Sequence, residues 1–191
     1  MIGNDIVDLN MAAIESNWKR PRFLNKVFTT YEQQLIADAS NQNQTVWLLW
    51  SMKEAAYKIY VQQFGIRFFN PLKLVCSLDS KSDGFVTIGN TTFFTKSVIS
   101  EEYIYTIAVS KNSKNYNSEC LKVENKSYLI QSDTLKNRFL EIISENKNLN
   151  IEHLNINKNE VGVPEVFFKN SKLPIHVSLT HSGNYCGYVY F

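Results

Sequence analysis

The chain has little cysteine. There are three in 191 residues, Cys76, Cys120 and Cys186, far apart and without a C-x-x-C pair. An odd number at that spacing argues against a disulfide framework and against a cysteine zinc site. It fits a reducing, cytoplasmic setting. Long apolar runs are also missing: none approaches the roughly 18 residues that a membrane span requires. Asp5 and Asp8 interrupt the first apolar residues, so neither a signal peptide nor a membrane partner is expected. Charge of one sign is lacking too. Twenty basic and 18 acidic residues leave a formal net charge of +2, which does not suggest a nucleic-acid partner. The local charge is more telling, because Lys19, Arg20, Arg22 and Lys26 cluster. The remainder is ordinary for a globular protein, 44% hydrophobic and 20% charged, with a length that suits one domain or two small halves sharing a core.

Residues 2–8, "IGNDIVD", read as a short strand in which Ile2, Ile6 and Val7 flank Asp5. Thr29 followed by Glu32 is a capping box and predicts a helix from about 30 to 39. A second helix is expected over about 44–61. Several short strands follow, with turn signals at Ser82-Asp83-Gly84 and Gly89-Asn90. The polar stretch "KNSKNYNS" at 111–118 reads as the centre of a linker over 111–121. Leu135, Phe139, Ile142 and Ile143 share one face of a further helix, and residues 151–191 read as strands. "YIYTIAVS" at 103–110 is echoed by "YCGYVYF" at 185–191. The expected fold class is α+β: two similar halves, 1–110 and 122–191, each with antiparallel strands packed on helices, arranged as a pseudo-twofold pair.

Within "WSMKEAAYK", Trp50–Lys58, Glu54 and Lys58 are four residues apart and share a helix face. The plain reading is an exposed ion pair worth a few tenths of a kcal/mol. However, Trp47, Leu48, Leu49, Met52, Ala55 and Ala56 leave little polar face around it. A carboxylate so placed is expected to carry a shifted pKa or to bind a cation. Asp5 is either a strand-end aspartate or a second carboxylate of the same site. An aspartate and a glutamate can hold Mg²⁺, with water and phosphate oxygens completing the shell. Asp8 is a further acid or a solvent-facing strand-end residue. Near the C-terminus, Ile175, Val177 and Leu179 alternate with His176, Ser178 and Thr180 and lead into Thr180-His181-Ser182-Gly183. Hydroxyls, an imidazole and free N–H groups at such a turn can grip phosphate, although most such turns are only turns.

Together "GND" (Gly3–Asp5), "WSMKEAAYK" and "VSLTHS" (Val177–Ser182) resemble the G-x-D, W/F-x-x-K-E-x-x-x-K and S-x-S-H motifs of the 4'-phosphopantetheinyl transferase superfamily. The helix motif is the most specific of the three. The resemblance implies transfer of 4'-phosphopantetheine from coenzyme A to a serine of an acyl or peptidyl carrier protein, in fatty-acid, polyketide or peptide synthesis, with release of 3',5'-ADP. It implies that Asp5 and Glu54 hold Mg²⁺, that Glu54 takes the serine proton and that Lys58 neutralises or protonates the leaving phosphate. Thr180, His181 and Ser182 would bind CoA phosphates. Lys53 would face phosphate or solvent, and Arg67 would supply charge near the substrate. Lys19, Arg20, Arg22 and Lys26 either steer the acidic carrier surface or form a solvated face. Val7 stands where many larger members have a third acid, and Val163 stands where they have a lysine before proline. A non-catalytic CoA- or carrier-binding relative is therefore the alternative. Residues 1–110 resemble the second half of the larger type and residues 132–191 its first half. The order implies a circular permutation with the joint at 111–118 and a site formed within a monomer. The competing arrangement is a trimer with its sites between subunits.

Overall fold

The structure is a computed structural model that describes residues 1–68, 70–110, 115–123 and 127–191. Residues 111–114 of the expected linker lie outside the described residues. The first half holds β1 (Ile2–Asp8), α1 (Leu9–Glu15), α2 (Phe23–Val27), α3 (Thr30–Asp38) and α4 (Gln42–Phe64). It continues with β2 (Leu74–Leu78), β3 (Asp83–Ile88), β4 (Thr91–Ile99) and β5 (Tyr103–Val109). The strands form one antiparallel sheet in the order β1-β5-β4-β3-β2. The second half holds β6 (Asn117–Lys122), α5 (Tyr128–Lys147), β7 (Leu154–Lys158), β8 (Pro164–Phe168), β9 (Ser171–Lys172), β10 (Val177–Ser182) and β11 (Tyr185–Tyr190). Its strands make two antiparallel three-stranded sheets, β10-β11-β6 and β7-β8-β9. The fold class is thus α+β, with a helix-packed antiparallel sheet in each half. Residues 117–121, expected as linker, are instead strand, because β6 pairs with β11 throughout. Asp83 and Gly84 likewise belong to β3 rather than to a turn; the bend precedes them, where Asp79 and Ser80 N–H donate to the Asp83 carbonyl.

Local chemistry explains the long elements. The Thr29 hydroxyl accepts from Glu32 N–H while Glu32 accepts from Thr29 N–H, which closes the capping box of α3. Asn41 caps α4, and Gly65, at φ +66°, stops it in a left-handed conformation. Val46, Trp47, Leu48, Leu49, Met52, Ala55, Ala56 and Ile59 are all buried, so α4 is apolar on most sides and runs through the core of its half. No helix among the described residues is long and apolar enough to cross a membrane.

Every residue of β1 is buried, because both of its faces are covered. Gly3 and Val7 pack toward α4, while Ile2, Asn4 and Ile6 meet the β5–β11 layer through Tyr105, Tyr185, Val189 and Gly187. One long edge of β1 pairs with β5. On its other edge, the N–H groups of Asn4, Ile6 and Asp8 donate to the hydroxyls of Ser178, Thr180 and Ser182 at 3.2 Å each, and Ile2 N–H reaches Gln62 Oε1 at 3.4 Å. Side chains spaced by two on β10 thereby satisfy the donors of an edge strand, and the halves dock along this line.

Candidate active site

The site lies where α4, β1 and β10 converge. Gly3 permits the convergence: a Cβ there would stand 2.1 Å from the Ala55 carbonyl oxygen, so only glycine lets β1 lie this close to α4. Two residues on, on the same face of the strand, Asp5 is presented to the helix. Lys58 occupies the junction. Its ammonium donates to the Asn4 carbonyl at 2.7 Å and to the Leu179 carbonyl at 3.3 Å, and lies 3.7 Å from Asp5 Oδ1. Two of its three donors therefore tie β1 to β10, leaving the third toward the carboxylate.

Burial perturbs both Asp5 and Glu54, and the charge of Asp5 acts on Glu54 as well. Burial raises Asp5 above the ordinary carboxylate range, against the opposing pull of Lys58, the Ser51 and Thr180 hydroxyls and the Ile6 backbone. Burial and the charge of Asp5 together push Glu54 up to about 7, with Lys58 acting in the opposite direction. Asp5 Oδ1 accepts from the Thr180 hydroxyl at 3.3 Å. Oδ2 is buried without a hydrogen-bond partner; the Ser51 hydroxyl lies near enough to favour the charged form, though neither atom completes a bond. An orphaned carboxylate oxygen beside a second desolvated carboxylate is an arrangement that a divalent cation would satisfy. No cluster of three or more acidic, histidine or cysteine groups occurs among the described residues, so water and substrate oxygens would have to complete such a shell.

Beside this pair opens a cavity of about 600 Å³. Lys58 and Arg67 of the first half and Lys136, Lys158 and His181 of the second line it, and no carboxylate does among the described residues. Its walls are otherwise largely apolar, with Val61, Phe68, Leu135 and Pro164 among them. Burial, Lys58 and Lys158 lower the His181 pKa, so the neutral imidazole predominates near neutrality. Arg67 reaches across the two halves and donates Nε–H to the Val161 carbonyl at 2.8 Å. Val163 lines the cavity and Val7 is packed in the core, so neither position supplies a charge to the site.

Several expected residues stand elsewhere. Lys53 faces neither phosphate nor solvent. It is 2% exposed, pairs with Glu32 at 2.8 Å and donates to the Pro71 and Leu74 carbonyls. Glu32 also receives Cys76 N–H, so this is a closed internal network. The Thr180 and Ser182 hydroxyls engage β1 rather than the cavity. Asp8 is neither a site acid nor solvent-facing. It is buried, caps α1 by accepting from Asn10 and Met11 N–H, and accepts Asn184 N–H from the β10–β11 turn. Gly183 in that turn is at φ +57°, and a Cβ there would lie 2.2 Å from Asp8 Oδ2. Lys19, Arg20, Arg22 and Lys26 are exposed and do not line the cavity. Lys136 and Lys158 were not legible as site residues, since among 20 basic residues nothing in their sequence neighbourhoods marks them.

A family model described as the 4'-phosphopantetheinyl transferase superfamily matches residues 1–110. Among solved structures, holo-[acyl-carrier-protein] synthase of Helicobacter pylori in complex with coenzyme A is similar at TM-score 0.47 and 19% identity, over 58% of this chain and 100% of that chain. Holo-[acyl-carrier-protein] synthase of Thermotoga maritima is similar at TM-score 0.45 and 12% identity, over 68% of this chain and 72% of that chain. No curated protein matches the sequence.

Proposed function

Because the chain belongs to the 4'-phosphopantetheinyl transferase superfamily, we propose that it transfers 4'-phosphopantetheine from coenzyme A to a serine of an acyl or peptidyl carrier protein. The observation that carries this reading is the junction at Lys58. One ammonium links a cavity rich in cations, with no lining carboxylate among the described residues, to the Asp5–Glu54 pair. A large ligand with an apolar ring and several phosphates suits apolar walls studded with basic groups.

Asp5 and Glu54 would hold Mg²⁺, which supplies charge neutralisation at the pyrophosphate. In the transfer, the serine oxygen bonds to the phosphorus next to pantetheine, and the bond from that phosphorus to 3',5'-ADP breaks. Glu54, within reach of the cation it would help to hold, accepts the serine proton. Lys58, held by two carbonyls, faces the departing charge without having to reorganise. Arg67, Lys136, Lys158 and neutral His181 hold the nucleotide end. The exposed cluster of Lys19, Arg20, Arg22 and Lys26 attracts the acidic carrier.

Intact-mass measurement of an apo-carrier after incubation with CoA and Mg²⁺ tests the reading. The expected result is one added phosphopantetheine with the wild-type chain and none with D5A or E54A, both of which stay folded. Labelling by both variants would overturn the carboxylate assignment. CoA binding without any gain in carrier mass would make the chain a binding relative rather than a transferase.

A further inference from the structure

We propose that Thr180 is a positioning residue for the cation site: contributed by the second half, its hydroxyl orients the Asp5 carboxylate so that Oδ1 is occupied and Oδ2 is left as the free ligand oxygen. This rests on the reading of Asp5 and Glu54 as a divalent-cation site.

A single hydroxyl proton decides which carboxylate oxygen is occupied. Thr180 is buried, and its Oγ1 accepts the Ile6 N–H at 3.2 Å. A hydroxyl has one proton and two lone pairs. With the backbone donor taking a lone pair, the proton is free to turn to Asp5 Oδ1, 3.3 Å away. Lys58 stands on the same oxygen, 3.7 Å off. These two contacts of Asp5 fall on Oδ1, while Oδ2 stays buried without a completed hydrogen bond, the Ser51 hydroxyl lying near the carboxylate but not bonding it. At 3.3 Å the bond is long for a charged pair, so it fixes orientation more than it adds energy. The β-branched side chain helps, since its χ1 is restricted.

The neighbouring positions provide an internal control. Ser178 and Ser182 accept Asn4 and Asp8 N–H at the same 3.2 Å, yet no carboxylate bond is seen for either among the described residues. Thr180 differs in having Asp5 as a second partner. Docking of the halves and orientation of the carboxylate are thus separable by mutation. The residue also takes a role different from phosphate binding, because its hydroxyl is consumed by β1.

The test measures Mn²⁺ binding to the full chain by electron paramagnetic resonance, CoA binding without metal by calorimetry, and carrier labelling. T180V, close in shape but without the hydroxyl, is expected to weaken Mn²⁺ binding roughly fivefold, in line with loss of one modest hydrogen bond to a charged group. T180S restores it to within about twofold, S182A leaves it unchanged, and metal-free CoA affinity is the same in all. T180A replaces T180V if the valine variant does not fold. Wild-type Mn²⁺ affinity in T180V overturns the proposal, as does an equal loss in S182A, which would assign the effect to docking. A loss of metal-free CoA affinity in T180V also overturns it, in favour of a ligand contact. A wild-type chain that labels a carrier but binds no Mn²⁺ overturns the cation site and this role with it. A chain that binds Mn²⁺ as expected but labels no carrier overturns the transferase reading alone.

Discussion

Burial and the charge of Asp5 raise Glu54 from the ordinary 4.5 to about 7, which ties the stability of the metal-free chain to pH. For a folded-state pKa raised above the unfolded one, the contribution is full below about 4.5 and is lost as pH rises through about 7. Asp5, shifted in the same direction, adds to the loss. In chelator, E54Q is therefore expected to melt at a higher temperature than wild type at about pH 8, with the gap closing toward about pH 5. Added Mg²⁺ at the higher pH should raise the wild-type melting temperature and leave E54Q nearly unmoved. A gap that does not vary with pH would mean that Glu54 is ordinarily solvated. The same helix shows the limit of motif reading at this scale. Lys53 and Lys58 are both motif lysines, and spacing alone could not assign them different fates. Lys58 meets Asp5 because β1 lies under its turn, and Lys53 meets Glu32 because α3 packs on the adjacent face. Asp8, open in the sequence between acid and surface residue, became a buried cap for the same reason: its partners come from α1 and from a turn far down the chain.

Among the elements, β1 against α4 sets the geometry of the site. G3A forces a methyl to within 2.1 Å of the Ala55 carbonyl oxygen, so strand and helix must separate. Overpacking of this kind costs about 1–3 kcal/mol, which urea unfolding would record. Mn²⁺ binding should weaken as well, because Asp5 moves with the strand. Unchanged Mn²⁺ affinity would show that the close approach is not needed for the site. The capping box, the apolar length of α4 and the alternation on β10 were legible because they are local patterns. The strand β6 was not. Its sequence "NSECLK" is polar, its outer residues are exposed, and only pairing with β11 makes it a strand. Helices α1 and α2, at 7 and 5 residues, are too short for periodicity to speak.

For the molecule as a whole, the line of hydroxyls joining β10 to β1 and the two-sided lining of the cavity bring both halves of one chain to one site. Native mass spectrometry with CoA is accordingly expected to show a single chain carrying one CoA, as the permuted arrangement requires; an obligate trimer would favour the intersubunit alternative. Reversing charge at the exposed cluster, as in K19E/R20E, should raise KM for the carrier about tenfold while leaving KM for CoA unchanged, with the wild-type carrier KM rising with salt. Equal effects on both substrates would detach the cluster from carrier binding. By itself the sequence determined the α+β class and pointed to Asp5 and Glu54 as the candidate pair, because strand and helix periods and a nine-residue motif are written in neighbouring residues. Only the tertiary structure decided that Lys53 is structural, that Lys136 and Lys158 face the cavity, and that Thr180 serves Asp5. Those roles depend on which surfaces meet, from 21 residues apart for Lys53 and Glu32 to 175 for Thr180 and Asp5, and contacts at such separations leave no local pattern.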